Sequence, residues 1–409
     1  MSKVTPVAGS RSRSWRRGRV VALLMMAGAI SYIDRSALSV SNTTIAADMH
    51  FSDTQMGWML SSFAWAYLVC QVPAGVVSDR WGGRIVLGIS LIIWSLAQIA
   101  FGLVSSVGAF FACRALLGAG EAPLFLAGTG VITRWFQPEE RGRPIGLFNA
   151  SATLGPAMAP PLLLLAMNLW GWRGMSVAVG CASLILAFVW LAVYRDPIQA
   201  TATRGQQNGR RPFPTQLLRQ RSTWAMTGGF VGIIYITWLY GAWLPAYLQR
   251  VHHLTLRQAS LLSALPQMFG FFGSVTGGFV TDWLGRRGVS PVIACRTPLV
   301  WGLVCASVMT VLTALVPFLG LSVALICIAL FAGGIAMTCG WALGAVAVTE
   351  DCVATMESIQ NTGGSLGGAL APALTGMIVD HFRSFVPSLL VAGVIGLLCA
   401  GIYRYGLNE

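Results

Sequence analysis

Apolar runs of roughly 20 residues, separated by short segments of Gly, Pro and charge, recur along the whole chain. A run of that length is what one helix needs to cross the hydrocarbon of a bilayer. The pattern predicts twelve such spans, near 19–41, 55–78, 83–105, 109–133, 143–166, 173–195, 224–248, 258–281, 291–316, 320–347, 357–380 and 385–405. One segment breaks the rhythm. Between Asp196 and Ser222 the chain turns polar, holds Pro197, Pro212 and Pro214, and carries five Arg residues. It reads as a linker between two six-helix halves. The expected division is a tail at 1–18, a first bundle at 19–195, a linker at 196–222 and a second bundle at 223–406.

A repeat supports that division. Gly75, Asp79, Gly82 and Arg84 recur as Gly278, Asp282, Gly285 and Arg287, each 203 residues on, after spans 2 and 8. A fixed offset of half the chain is the mark of a duplicated membrane fold. Each Asp stands at the C-terminal end of its helix, where a carboxylate is unfavourable to the helix dipole. It becomes favourable if a neighbouring helix N-terminus or an Arg meets it. Asp79, Arg84, Asp282 and Arg287 are therefore candidates for a gating latch between moving parts. The plainer alternative is a turn whose charge stops the helix slipping into the membrane.

Composition agrees with the spans. The chain is 55% hydrophobic and 10% charged, with mean hydropathy +0.69, against about 25% charged residues in a soluble domain. The net charge of +13 does not indicate nucleic-acid binding, because the Arg residues lie in short segments between apolar runs and form no basic face. Of the 27 Lys and Arg residues, only Arg173, Arg250, Arg257 and Arg383 fall on one side of the predicted spans, two lie inside spans, and the remaining 21 share the side of both termini. Positive charge marks the cytoplasmic side, so both termini are expected there. The nine Cys are scattered, mostly through apolar runs, without CxxC or Cys/His pairing, and read as small buried hydrophobes. Nothing implies a metal or cofactor. The four His stand near outer ends with no nucleophile–base pair inside a span, so an enzyme is not expected. No cleavable leader pattern precedes the first span.

Of the 14 acidic residues, only Asp34 and Glu121 sit well inside apolar stretches, and among the bases only Arg35 and Arg114 do so. An ionisable group inside a span costs several kcal/mol unless paired or hydrated, roughly 3 kcal/mol on insertion scales, so its default reading is functional. All four belong to spans 1 and 4. Arg114 and Glu121 are seven residues apart, hence on one helix face about 10 Å apart. Adjacent Asp34 and Arg35 point about 100° apart, so one can face a cavity while the other faces a neighbouring helix. With both acids ionised the set is neutral; with both protonated it carries two positive charges. Such a site holds an anion best when it also holds protons, which is the linkage on which proton–anion symport rests. Two static ion pairs tying span 1 to span 4 are the structural alternative.

The residues around these charges resemble a known family. The twelve spans, the central loop and the repeated motif are similar to the major facilitator superfamily. Tyr32-Ile-Asp34-Arg35, Ser61-Ser-Phe-Ala-Trp-Ala-Tyr67 through Gln71-Val-Pro73, Arg114-Ala-Leu-Leu-Gly-Ala-Gly-Glu121-Ala-Pro123, the loop from Arg134 to Arg143, and Trp243-Leu-Pro245-Ala-Tyr247 resemble its anion:cation symporter branch. That branch includes sugar-acid permeases, phthalate-type permeases and carriers of sialic acid, phosphate and glutamate. The resemblance implies an all-α integral membrane protein with twelve transmembrane helices in two pseudo-symmetric bundles. In a bacterium such a protein would be a multi-pass inner-membrane monomer. Its partners would be protons and a small organic anion, a sugar acid such as a hexonate or hexarate, or an aromatic carboxylate.

By position, Asp34 and Glu121 look like proton-coupling acids and Arg35 like the carboxylate anchor. Arg114 looks like a base that pairs with an acid during the cycle. Tyr32 and Tyr67 look like hydrogen-bond donors lining the cavity, and Asn361 like a substrate-binding Asn. Ala152 departs from the Gln that sugar-acid members often carry in span 5, which leaves Asn149 as the nearby donor. In the second half, Tyr235, Trp238, Tyr240, Gln267 and Gln360 are further cavity candidates. Gly155-Pro156 in span 5 is a partial match to drug antiporters. A proton-coupled drug or metabolite antiporter, and a non-transporting sensor on the same scaffold, are the competing expectations.

Overall fold

A computed structural model describes residues 9–136, 142–196, 215–348 and 353–407. The expected central linker and the loop acids Glu139 and Glu140 therefore lie largely outside the described residues. Among the described residues the chain is helical throughout, with no strand. Span 1 is Gly9–Met49, span 2 Asp53–Trp81 and span 3 Gly83–Leu103. Span 4 is built from two collinear pieces, Val107–Glu121 and Pro123–Trp135, and spans 5 and 6 from Gly142–Val193 turned at Gly171 (φ 65°). A short helix, Thr215–Arg219, precedes span 7 (Arg221–Val251). Spans 8 to 12 follow as Leu256–Arg286, Pro291–Leu315, Leu319–Val346, Val353–Phe382 and Val386–Gly406.

Nine stretches among the described residues are long and apolar enough to cross a membrane on composition alone. Spans 5 and 6 are merged in that count, and spans 2 and 8 are missing from it. Those two carry the repeated motif. Large apolar side chains such as Leu165, Phe279, Trp301 and Leu398 are exposed, as expected of helices whose outer face meets lipid.

The repeat begins earlier in each half than the motif shows. Ser52 caps span 2 by accepting a hydrogen bond from the Gln55 amide, while the Gln55 side chain accepts one from the Ser52 amide. Thr255 and Gln258 form the same capping box at span 8. Just before these boxes, His50 and His253 both hold positive φ (55° and 54°). All three pairs stand 203 residues apart, so the turns that open spans 2 and 8 are copies of one design.

The first and last described residues, Gly9 and Leu407, and the turns near Gly82, Gly288 and Ala347 mark the near end of the bundle. The turns at His50, Val104, Gly171, His252, Val316 and Arg383 mark the far end. The halves are joined toward the far end. Ser39 of span 1 donates to the Gly241 or Ala242 carbonyl of span 7 (2.7 and 2.8 Å). Thr43 donates to Gln249 (2.9 Å), Thr54 to Asp380 (2.7 Å), and Ser61 to the Ala369 carbonyl. Arg250 of span 7 pairs with Asp53 at the start of span 2. At the near end Asp282 and Arg287 are exposed.

Candidate functional site

Spans 1, 2 and 4 pack around one aromatic ring. Gly118 stands on span 4, one turn from both Arg114 and Glu121, and a Cβ there would come within 2.2 Å of the Phe63 carbonyl. Glycine lets span 4 approach span 2 that closely. As a result both guanidinium groups stand over Phe63, Arg35 at 4.8 Å and Arg114 at 5.4 Å from its centroid. Arg35 is also over Tyr32 (4.6 Å) and Tyr67 (5.3 Å). Three ring faces thus stabilise a cation in a desolvated place. Phe63 in turn stacks on Trp238 of the other half at 6.1 Å.

The carboxylates are placed differently from each other. Glu121 is fully buried, and its Oε2 accepts from Arg35 Nε and from Ser31 Oγ, both at 2.7 Å. Asp34 is fully buried too, and its Oδ2 accepts from Ser183 Oγ of span 6 (3.0 Å). The second oxygen of each acid, Glu121 Oε1 and Asp34 Oδ1, has no hydrogen-bond partner, and neither do Arg35 Nη2 and Arg114 Nε. Buried polar atoms seldom stay unpaired at rest. Four of them within one cluster describe a site with unused binding and titration capacity.

A cavity of about 150 Å³ opens beside the cluster and between the halves. Tyr32 and Arg35 of span 1, Arg114 of span 4, and Pro156 and Pro160 of span 5 form one wall. Trp238 and Tyr240 of span 7 and Gln267 of span 8 form the other. Asp34 and Glu121 stand behind that lining, reached through the arginines. The adjacent Asp34 and Arg35 therefore diverge as their helical positions require, one to span 6 and one to the cavity.

Other expected residues fall elsewhere. Glu121 pairs with Arg35 on span 1 and not with Arg114, its neighbour on the same face of span 4. Arg114 is almost wholly buried. Tyr67 stands by Arg35 but is not among the residues lining the cavity, and Asn361, half-buried on span 11, is not among them either. Tyr235 is buried away from the cavity, and Gln360 donates to the Gly340 carbonyl (3.0 Å). The side chains of Asn149 and Asp79 lie outside the described residues. Arg84 donates to the Leu191 carbonyl (2.7 Å), and Arg287 stacks over Trp283 (3.9 Å). No latch is formed at Asp282, which has no polar partner among the described residues. The parts that sequence reasoning missed are Phe63, Ser31 and Ser183: a Phe or Ser in an apolar run carries no signal of its own.

Two helical halves that enclose a cavity bearing two arginines deep among apolar spans define a membrane transporter. The family model described as Major Facilitator Superfamily matches residues 24–372, and the chain belongs to that superfamily, whose members carry solutes and are not enzymes. The chain is 39% identical to a probable L-galactonate transporter of Escherichia coli K12, over 98% of this chain and 92% of that protein. It is 29% identical to a probable galactarate/D-glucarate transporter of the same organism, over 98% and 96%. A crystal structure of a bacterial homologue of the human lysosomal transporter Spinster, inward-facing and occupied, shares the fold. Its TM-score is 0.80 at 20% identity, covering 95% of this chain and 96% of that one.

Proposed function

We propose that this protein is a proton-coupled symporter of a sugar acid, a hexonate or hexarate. It works by alternating access in the bacterial inner membrane, as a monomer with both termini cytoplasmic. The two bundles, 19–195 and 223–406, rock about the central cavity, with the linker 196–222 joining them. The observation that carries the reading is that Arg35 lines the cavity while its Nε is held by the buried Glu121 and its buried Nη2 has no hydrogen-bond partner. One guanidinium thus connects the place where a substrate carboxylate would bind to the acid that would take a proton.

The steps follow from charge. A sugar-acid carboxylate approaching Arg35 competes with Glu121 for the same cation. Protonation of Glu121 removes that competitor and strengthens the hold on the anion, and by reciprocity the bound anion favours the proton. Asp34, held by Ser183 with one oxygen unpartnered, is the second proton site. Arg114, also over Phe63, limits the cost of keeping either acid ionised. The names of the relatives favour a sugar acid over an aromatic carboxylate. Tyr32, Trp238 and Gln267 supply ring faces and donors for its hydroxyl groups. Asp79, Arg84, Asp282 and Arg287 act in the opposite state, when the near end closes.

Glu121→Gln tests the coupling. A permanent neutral mimic of the protonated acid should still bind L-galactonate and exchange it across proteoliposomes. It should lose accumulation driven by an inward proton gradient. Wild-type accumulation by this variant would remove Glu121 from the mechanism. Acceleration of wild-type uptake by an outward proton gradient would establish an antiporter instead.

A further inference from the structure

A second cavity stands apart from the central one. A recess of about 350 Å³ opens at the far end, where spans 7, 9, 11 and 12 of the second half meet Asp53 of span 2. Its ionised lining groups are Arg250, Arg383 and Asp53, so cations outnumber the single carboxylate. Tyr247 and Phe385 give it an aromatic wall, with ring centroids 5.7 Å apart. Arg383 holds positive φ (53°), a conformation uncommon for a residue with a Cβ, and its side chain is 81% exposed, with the guanidinium 3.5 Å from Asp380. Arg250 is bound to Asp53, and this pair crosses from the second half to the first.

We infer that this recess is a second binding site for the sugar acid, a far-end vestibule in which the substrate carboxylate displaces Asp53 from Arg250. The chemistry fits on three counts. Two guanidinium groups lining one recess suit a carboxylate. Ser384 offers a hydroxyl, and the Tyr247 ring an aromatic face, to a polyol chain. The recess is also open at the face from which an imported solute arrives. Its consequence is mechanical. An anion on Arg250 removes the interaction with Asp53 that helps hold the far ends of spans 2 and 7 together. Because binding favours the state in which Arg250 is released, substrate at the far side promotes opening of the far side. The vestibule therefore couples arrival of solute to the gate, before the solute reaches Arg35.

The inference rests on the reading of the protein as a sugar-acid carrier, and equilibrium dialysis of purified protein with labelled L-galactonate separates the two. Wild-type protein should bind two equivalents. Arg35→Gln should remove one, and Arg250→Gln/Arg383→Gln the other. A single equivalent lost in Arg35→Gln overturns the vestibule and leaves the central site standing. A single equivalent lost only in Arg250→Gln/Arg383→Gln supports the vestibule and overturns the central site. No binding by wild-type protein overturns both. Arg383→Gln, an exposed change that leaves the Arg250–Asp53 pair in place, gives a second measurement. It should raise the half-saturating concentration for transport from the far side by roughly tenfold, the worth of one charge-assisted hydrogen bond, and leave transport from the near side as it was. An equal change from both sides, or none from either, would overturn the vestibule.

Discussion

Arg35→Lys should weaken binding of L-galactonate on the order of 100-fold and stop its transport, although the charge is kept. Loss of a charge-assisted interaction costs up to about 3 kcal/mol, and that is roughly two decades of affinity. The geometry explains why Lys fails. Arg35 lines the cavity, gives Nε to Glu121 and keeps a buried Nη2 without a partner. An ammonium is a single point of charge that cannot hold the wall and the substrate from separate atoms. It also loses the planar stacking on Tyr32, Phe63 and Tyr67. Arg35→Gln goes further and leaves Glu121 buried without its cation. Removing one member of a buried pair costs about 3–5 kcal/mol, less whatever Glu121 recovers by taking a proton. Protein yield would then fall for reasons unrelated to binding. The double variant Arg35→Gln/Glu121→Gln separates these effects, because it restores neutrality in the wall. It should regain the melting temperature lost in Arg35→Gln yet stay unable to bind. Differential scanning calorimetry on the purified proteins reads the first quantity and titration calorimetry the second. An affinity within twofold of wild type in Arg35→Lys or in the double variant would take Arg35 out of the site.

That site was partly legible in the sequence, and the reason is energetic. A charge inside a span is expensive, so Asp34, Arg35, Arg114 and Glu121 stand out against an apolar background without any knowledge of the fold. Their pairing was not legible. Helical periodicity places Arg114 and Glu121 on one face of span 4, but which cation meets Glu121 depends on how closely spans 1, 2 and 4 approach. That approach is decided by Gly118 and the Phe63 backbone. Phe63 itself, with two guanidinium groups over its ring, is one of 19 Phe residues in an apolar chain, and nothing local distinguishes it. Asn361 illustrates the converse: a polar residue in a Gly-rich run attracts notice, yet the structure leaves it off the cavity lining.

The spans were legible for similar reasons, and their ends were not. Span 1 continues eight residues past its expected end at 41 because Ser41 and Asn42 are buried inside the protein, where polarity no longer signals a loop. The repeated GxxxD motif revealed the duplication. The copied capping boxes at Ser52 and Thr255 escaped notice, since Ser and Thr differ while performing the same task.

The far-end contact between halves leads to the second large effect. Gly57 of span 2 faces span 11 so closely that a Cβ there would come within 2.6 Å of the Pro372 carbonyl and 2.9 Å of Gly376 Cα. A Cβ on Gly376 would in turn meet the Asp53 carbonyl at 2.3 Å. These are backbone atoms of two helices, which cannot swing aside as a side chain can. Gly57→Leu therefore forces the far ends of spans 2 and 11 apart. Overpacking costs about 1–3 kcal/mol where neighbours can adjust, and the upper end of that range applies where only backbone is met. In alternating access the contact exists in one state only, so the penalty falls on the far-closed state and shifts the equilibrium toward the far-open one by on the order of 100-fold. Net transport of L-galactonate into proteoliposomes should drop by a similar factor, while binding from the far side persists. The shift can be read directly. A cysteine placed at Thr43, which lies in the same far-end seam, should react faster with an impermeant thiol reagent in Gly57→Leu than in the parent, once the nine native cysteines have been replaced. Wild-type transport in Gly57→Leu, or labelling at the parent rate, would mean that the approach of spans 2 and 11 is not what closes the far side.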